Sequence, residues 1–321
     1  MKVDKGYVEA PIAEGIDLKA EIARLKKEKN AVVLAHYYTL PEIQETADFI
    51  GDSLALARIA EGLDNDIIVM CGVHFMGETV KILCPSRKVL VPDLNAGCSL
   101  ADSCPAPELE KFIAAHPGHT VISYVNTSAA VKALTDVVVT SGNAMKVVGA
   151  LPADEKIIFG PDRNLGNYIN SQTGREMVLW DGACHVHENF SLEKILELKK
   201  AHPAAKVLVH PECPAPVRLV ADKVGSTAVL LEWAGESEAT EFIVATESGI
   251  LHEMRRKCPE KTFIPAPPAD SDCACNDCAY MKLNTLAKLY LTLLHEAPEV
   301  EVDEDIIDRA RRPITRMLEL S

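Results

Sequence analysis

Basic residues are scarce in this chain: Lys and Arg number 33 against 47 Asp and Glu, a formal net charge of −14. A nucleic-acid partner needs a cationic face that displaces counterions, and an anionic membrane surface needs the same, so both are excluded as partners. A small anionic substrate is not excluded, because a local field inside a pocket can hold one. No stretch reaches the roughly 18 consecutive apolar residues that a membrane-spanning helix requires. Residues Met1 to Gly15 are charged and lack the apolar run of a secretory signal, which predicts a cytoplasmic protein. Neither a G-x-G-x-x-G fingerprint nor a Walker lysine motif occurs, which disfavours a dinucleotide or a nucleoside triphosphate as cofactor. Low-complexity segments and long linkers are also missing.

Cysteine, by contrast, is plentiful, with ten residues in 321. A large, unexported, cysteine-rich chain points to a reducing compartment in which thiols serve metal binding or catalysis rather than disulfides. Cys71, Cys84 and Cys213 sit in or beside apolar runs and read as small buried hydrophobes. Five others follow strand ends. Val178-Leu179-Trp180 opens into a loop carrying Cys184 and His187, Leu90-Val91-Pro92-Asp93 runs into Cys98, and Phe263-Ile264-Pro265 runs into Cys273, Cys275 and Cys278.

That recurrence is an internal repeat. His36, Tyr124 and His210 follow similar apolar runs at spacings of 88 and 86 residues, and Ser53, Ser141 and Thr227 keep the same two spacings. Cys98 and Cys184 are 86 apart, and Cys184 and Cys278 are 94 apart. A period this long describes a repeated domain, since solenoid units run about 20–50 residues. His116-Pro117 and His202-Pro203 each end a helical stretch just before a repeat begins, giving units near 1–117, 118–203 and 204–321.

Within the units, apolar β-rich runs alternate with helical periodicity. Strands are predicted at 31–36, 67–71, 88–91, 120–124, 136–139, 156–159, 177–180, 206–209, 228–231, 242–245 and 262–264. Helices are predicted between them, including 41–60, 74–83 and 234–240, with 303–320 returning to cap the first unit. Strands without strict alternation, separated by helices, predict an α/β protein of parallel sheets covered on both faces.

In open parallel sheets, ligands bind beyond the carboxyl ends of the strands. Each unit offers two polar side chains there, at i and i+2: His36 and Tyr38, Tyr124 and Asn126, His210 and Glu212. A two-residue step places both on one face of an extended chain. Ser53, Ser141 and Thr227 stand where helices start, positions that serve both as caps and as holders of anionic groups. For the thiols two readings stand. Cys273-x-Cys275-x-x-Cys278, with Cys258 or a histidine, would make a local zinc knuckle. One thiol from each unit would instead hold an iron–sulfur cubane by three ligands and leave one iron open to substrate.

Taken together, Gly51-Asp52-Ser53, Val73-His74-Phe75-Met76-Gly77-Glu78, Ala96-Gly97-Cys98, Tyr124-Val125-Asn126, Trp180-Asp181-Gly182-Ala183-Cys184-His185-Val186-His187-Glu188, His210-Pro211-Glu212 and Cys278-Ala279-Tyr280-Met281-Lys282 resemble the quinolinate synthase family, iron–sulfur enzymes of NAD biosynthesis. The resemblance covers nearly the whole chain. It implies three repeated αβα units around a pseudo-threefold axis and a [4Fe-4S] cluster held by Cys98, Cys184 and Cys278. It implies condensation of iminoaspartate with dihydroxyacetone phosphate, and an iminoaspartate-producing enzyme as a partner. His36, Ser53, Tyr124, Asn126, Ser141, His210, Glu212 and Thr227 fall on the family's substrate-binding positions. Tyr38 and His187 fall near the reacting centre, and Glu212, Tyr38, His36 and His187 are the expected catalytic residues. The family's third thiol motif is often Cys-x-x-Cys-x-x-Cys-Pro, which this chain lacks; Cys278 is chosen by the Tyr280-Met281-Lys282 that follows it. Cys273 and Cys275 are then spare thiols or a regulatory disulfide. The alternative function is a non-catalytic iron–sulfur electron carrier or redox sensor.

Overall fold

The computed structural model describes residues 2–269 and 276–321, so Cys273 and Cys275 lie outside the described residues. Twelve strands make three separate four-stranded sheets. The first contains Ala31–His36 (β1), Phe49–Gly51 (β2), Ile67–Cys71 (β3) and Lys88–Leu90 (β4). The second contains Thr120–Tyr124 (β5), Val137–Val139 (β6), Ile157–Gly160 (β7) and Val178–Leu179 (β8). The third contains Lys206–Val209 (β9), Lys223–Val224 (β10), Glu241–Ala245 (β11) and Thr262–Pro265 (β12). Spatial order is the same in each, β2-β1-β3-β4, β6-β5-β7-β8 and β10-β9-β11-β12, and every pairing within these sheets is parallel. The protein is therefore three repeated α/β units with parallel sheets and surrounding helices. Central strands such as β1 and β3 are buried at every residue, because helices cover both faces. No helix among the described residues is long and apolar enough to cross a membrane.

One aspartate per unit locks the edge strand onto the central one. Asp48, Asp136 and Asp222 each accept a 2.8 Å hydrogen bond from the backbone N–H of Val33, Val121 and Val207. Each also donates its own N–H to the carbonyl of that same valine. The three carry the repeat spacing of 88 and 86 residues, so the repeat is a repeat of hydrogen bonds as well as of fold.

Three sequence expectations change. Residues 228–231 are not a strand but part of the helix Thr227–Glu236, capped by the Ser226 hydroxyl accepting from the Val229 N–H. Val229-Leu230-Leu231 is a short apolar run, and periodicity alone cannot separate a buried helix from a buried strand there. Of the predicted helix 234–240, only residues 234–236 are helical, as the end of this same helix, which stops at Glu236. Residues 41–60 are not one helix: β2 divides Pro41–Thr46 from Ser53–Glu61. Its counterpart β10 is only two residues long and carries no pattern of its own.

The C-terminal helix Glu304–Glu319 buries Ile307, Ala310, Ile314 and Met317. It packs against helix His74–Leu83 and also against Ala129–Lys132 and β6, so it joins elements of the first and second sheets. Arg311 donates to the Ile82 carbonyl at 2.9 Å and Asn143 donates to the Ser321 hydroxyl at 2.6 Å, pinning both sides of this contact.

Because Asp136 holds β5 through a single side-chain acceptor, Asp136→Ala should lower unfolding stability by about 1 kcal/mol. Chemical denaturation measures this, and ligand binding at the remote strand ends should be unchanged.

Candidate active site

The carboxyl ends of β1, β5 and β9 point into one cavity of roughly 730 Å³, its mouth included. All thirteen residues named from the sequence line it: His36, Tyr38, Ser53, Cys98, Tyr124, Asn126, Ser141, Cys184, His187, His210, Glu212, Thr227 and Cys278. Parallel strands give this result directly, since each central strand ends on the same side and delivers its i and i+2 side chains there.

Glu212 is the centre of the polar network. It is 2% exposed, and the Tyr124 hydroxyl donates to its Oε1 at 2.5 Å while His187 Nδ1 lies 3.1 Å from Oε2. Burial opposes ionisation of this carboxyl; the His187 ring and the Tyr124 hydroxyl outweigh it and hold the group down at about 2. Tyr124 moves the other way, pushed well above the usual phenol range by burial and by the Glu212 charge. Donor and acceptor are thereby fixed: a protonated phenol faces an ionised carboxylate. Tyr38, raised by burial, is a second protonated phenol, 2.6 Å from the Thr227 hydroxyl and 2.8 Å from that of Thr246. Thr246 also lies 3.0 Å from His187 Nε2, which closes a chain Tyr38–Thr246–His187–Glu212–Tyr124 across all three sheets.

The two strand-end histidines share a tautomer. His36 Nδ1 accepts the Tyr38 N–H at 3.1 Å, and His210 Nδ1 accepts the Glu212 N–H at 3.4 Å. An Nδ1 that accepts leaves the proton on Nε2. Burial lowers both rings to about 3, with the Lys282 cation second for His36 and the His187 ring second for His210. His210 Nδ1 is 3.7 Å from Glu212 Oε1, but a neutral ring makes this a polar contact rather than an ion pair.

Three of the eight described cysteines, Cys98, Cys184 and Cys278, are partly exposed, and the other five are buried. Cys71, Cys84 and Cys213 are among the buried five, as small apolar packing residues. Each of the three partly exposed thiols opens on the cavity. Burial pushes Cys98 up to about 12 and raises Cys184 and Cys278, while N–H groups of the following turn, those of Leu100 and Ala101 for Cys98 and of Met281 and Tyr280 for Cys278, pull the other way. Cys184, His187 and Glu212 offer donor atoms within 4.8 Å of one another, a group that could hold a metal ion.

Sequence reasoning missed several neighbours. Glu247 and Lys282 form a 2.7 Å ion pair at the cavity wall, and Lys282 also donates to the Tyr38 carbonyl at 2.8 Å. Asp162 is fully buried behind Cys184. Asp162 and Glu247 each stand two residues beyond a strand end, as Tyr38 and Asn126 do, but without a polar partner at the strand end itself. Gly249 lets the loop after β11 approach β1's end: a Cβ there would come within 2.8 Å of Tyr38 Cα.

Three parallel α/β units that share one pocket of thiols, neutral imidazoles and an ionised carboxylate define an enzyme with a centre suited to a metal. The family model for "Quinolinate synthetase A protein" matches residues 20–319. Quinolinate synthases of Synechococcus sp. and Trichormus variabilis are each 57% identical to the chain, over 305 and 306 residues. These alignments cover 95% of the chain in both cases, and 95% and 94% of the relatives. The quinolinate synthase of Chloroherpeton thalassium is 55% identical over 306 residues, with 95% of both chains covered. The chain belongs to the quinolinate synthase family.

The neutral histidines give the pocket a pH signature. Between about pH 6.5 and 3 the unfolded chain binds protons at His36 and His210 that the folded chain refuses, so stability falls as pH drops through this window. Glu212 adds its own loss between about pH 4.5 and 2, where the unfolded chain takes up a proton that the folded carboxyl refuses. Thermal melts of the metal-free protein from pH 7.5 to 5 should show a falling midpoint, and His210→Asn should flatten the slope.

Proposed function

We propose that the protein condenses iminoaspartate with dihydroxyacetone phosphate to give quinolinate, phosphate and two waters. The observation that carries this reading is the opening of three unpaired thiols onto the same cavity as an ionised carboxylate and two protonated phenols. The relatives' shared name supplies the product. A non-catalytic iron–sulfur carrier has no use for that polar chain.

The donor set fits an iron–sulfur cluster. Three soft thiol ligands, from loops of three different units, are the partly exposed cysteines among the described residues. A [4Fe-4S] cluster held by Cys98, Cys184 and Cys278 supplies a Lewis-acidic iron for polarising a substrate oxygen. Since burial keeps all three thiols protonated without metal, loading releases protons and weakens as pH falls.

The remaining chemistry falls to side chains. Glu212, ionised and in contact with Tyr124 and His187, serves as the general base and later returns the proton as an acid. Tyr38 and the Nε2–H of His36 serve as proton donors during isomerisation and dehydration. Among the described residues lining the cavity there is no Lys or Arg, so the phosphate and carboxylates of the substrates are not matched by fixed cations. Ser53 and Thr227 instead occupy the first turns of helices Ser53–Glu61 and Thr227–Glu236, and Ser141 precedes Ala144–Ala150. Their hydroxyls, with helix-start N–H groups, hold the anionic groups; Asn126 and His210 complete the wall. Iminoaspartate hydrolyses in water, so turnover calls for a closing movement between units that excludes water from this open cavity. Substrates of this size reach it from the cytoplasm, with an iminoaspartate-producing enzyme as supplier.

Anaerobically purified protein should be brown, with about four irons and four sulfides per chain. Alanine at Cys98, Cys184 or Cys278 should each abolish the colour. Glu212→Gln should keep the cluster and lower turnover by about 10²–10⁴-fold; near-normal activity in that variant would remove Glu212 as the base.

A further inference from the structure

Two buried carboxylates stand in equivalent places behind two of the three thiols. β7 and β11 are the third strands of their units, and their last residues, Gly160 and Ala245, pair with Ser123 and Val209 at matching positions of β5 and β9. Two residues beyond each end come Asp162 and Glu247, 0% and 1% exposed. Asp162 Oδ2 accepts the backbone N–H of Cys184 at 3.2 Å, and Glu247 Oε1 accepts that of Cys278 at 3.0 Å. The second oxygen of each carboxylate holds its own loop: Asp162 Oδ1 takes the Leu165 N–H at 2.7 Å, and Glu247 Oε2 takes the Gly249 N–H at 2.7 Å. Each carboxylate therefore clamps a thiol's backbone to the rigid end of a buried strand.

The first unit solves the same problem without a carboxylate at that place. The residue two beyond β3 is Val73, and the Cys98 loop is tied by the His74 N–H donating to the Ala96 carbonyl at 2.6 Å. Farther back on that loop, Asp93 accepts from the Asn95 N–H at 2.8 Å and pairs with Lys288 at 2.5 Å. Two units thus share a device that the third replaces with backbone.

We propose that Asp162 and Glu247 are positioning residues that fix the Cys184 and Cys278 sulfurs for the cluster, a role resting on the assignment of these cysteines as its ligands. Groups that orient metal ligands from behind commonly change affinity by about 10–100-fold when altered. Holding the backbone N–H also keeps it from turning toward sulfur, so the clamp sets both the direction of the thiolate and the hydrogen bonds it receives.

Asp162→Asn isolates this contact. Asparagine caps helices as well as aspartate does, so the Leu165 N–H keeps its acceptor, while an NH₂ group now faces the Cys184 N–H. The reconstituted holoprotein should lose its visible absorbance to a chelator about tenfold faster than wild type or more. Its Fe–S(Cys) stretching bands in the resonance Raman spectrum should shift, while the melting temperature of the metal-free protein stays near wild type. Glu247→Gln should act in the same direction. Unchanged cluster loss and unchanged Raman bands in Asp162→Asn would overturn the proposal. So would a fall in metal-free stability large enough to account for the faster loss, because the residue would then serve only the fold. Cys184→Ala, carried alongside, separates the two levels: a variant that still holds the full cluster defeats the ligand assignment itself. A colourless Cys184→Ala with a wild-type-like Asp162→Asn defeats the positioning role alone.

Discussion

An ionised carboxylate enclosed by protein is costly, and Glu212 is held in that state by groups from another part of the chain. Glu212 follows β9, whereas Tyr124 ends β5 and His187 follows β8, so the third sheet's charge is satisfied by the second sheet's donors. Pulling these units apart, or deleting one donor, strands a buried charge, which typically costs about 3–5 kcal/mol. The first unit is tied in by the Tyr38 hydroxyl, which meets Thr227 and Thr246 beyond the ends of β10 and β11. The pocket's geometry and inter-unit cohesion are thus the same set of hydrogen bonds. The pocket cannot be loosened without loosening the joint between units.

The repeated scaffold delivers side chains symmetrically, but the side chains themselves are not symmetric. At the second place of each strand-end pair stand Tyr38, Asn126 and Glu212, one carboxylate among three. Three carboxylates facing one another would suppress each other's ionisation, as like charges in a shared site do. A single carboxylate with phenol and imidazole neighbours remains charged. The residues that serve only the fold show the opposite behaviour: Asp48, Asp136 and Asp222 are the same amino acid making the same contact in every unit. Symmetry is kept where the requirement is geometric and broken where it is electrostatic.

That division explains what could be read in the sequence. Parallel α/β architecture was legible because buried strands are continuous apolar runs, and the units were legible because their strand ends recur at one spacing. The grouping of His36, Tyr124 and His210 about one cavity follows from the same count. Tertiary context hid the rest. Residues 228–231 read as a strand because Val229-Leu230-Leu231 is a short apolar run, which the structure folds into the helix Thr227–Glu236. Asp162 and Glu247 escaped because their strand ends carry no polar residue at i, so the i, i+2 pair that marked the first strands was half absent. The Glu247–Lys282 pair joins residues far apart in the sequence, on either side of a helix and β12, and no local pattern announces it.

The absence of a lining cation among the described residues then becomes informative about the order of binding forces. A lysine or arginine beside Glu212 would pair with it, neutralising the base and its partner together. Lys282 is instead engaged by Glu247 and by the Tyr38 carbonyl. Hydroxyls and helix-start amides are neutral donors: they can hold an anion without quenching a nearby carboxylate. A pocket that is to hold an anion and still keep an ionised carboxylate is better served by them than by fixed positive charge. The cost is weaker anchoring of each anionic group, which three such donor clusters around one cavity offset by their number.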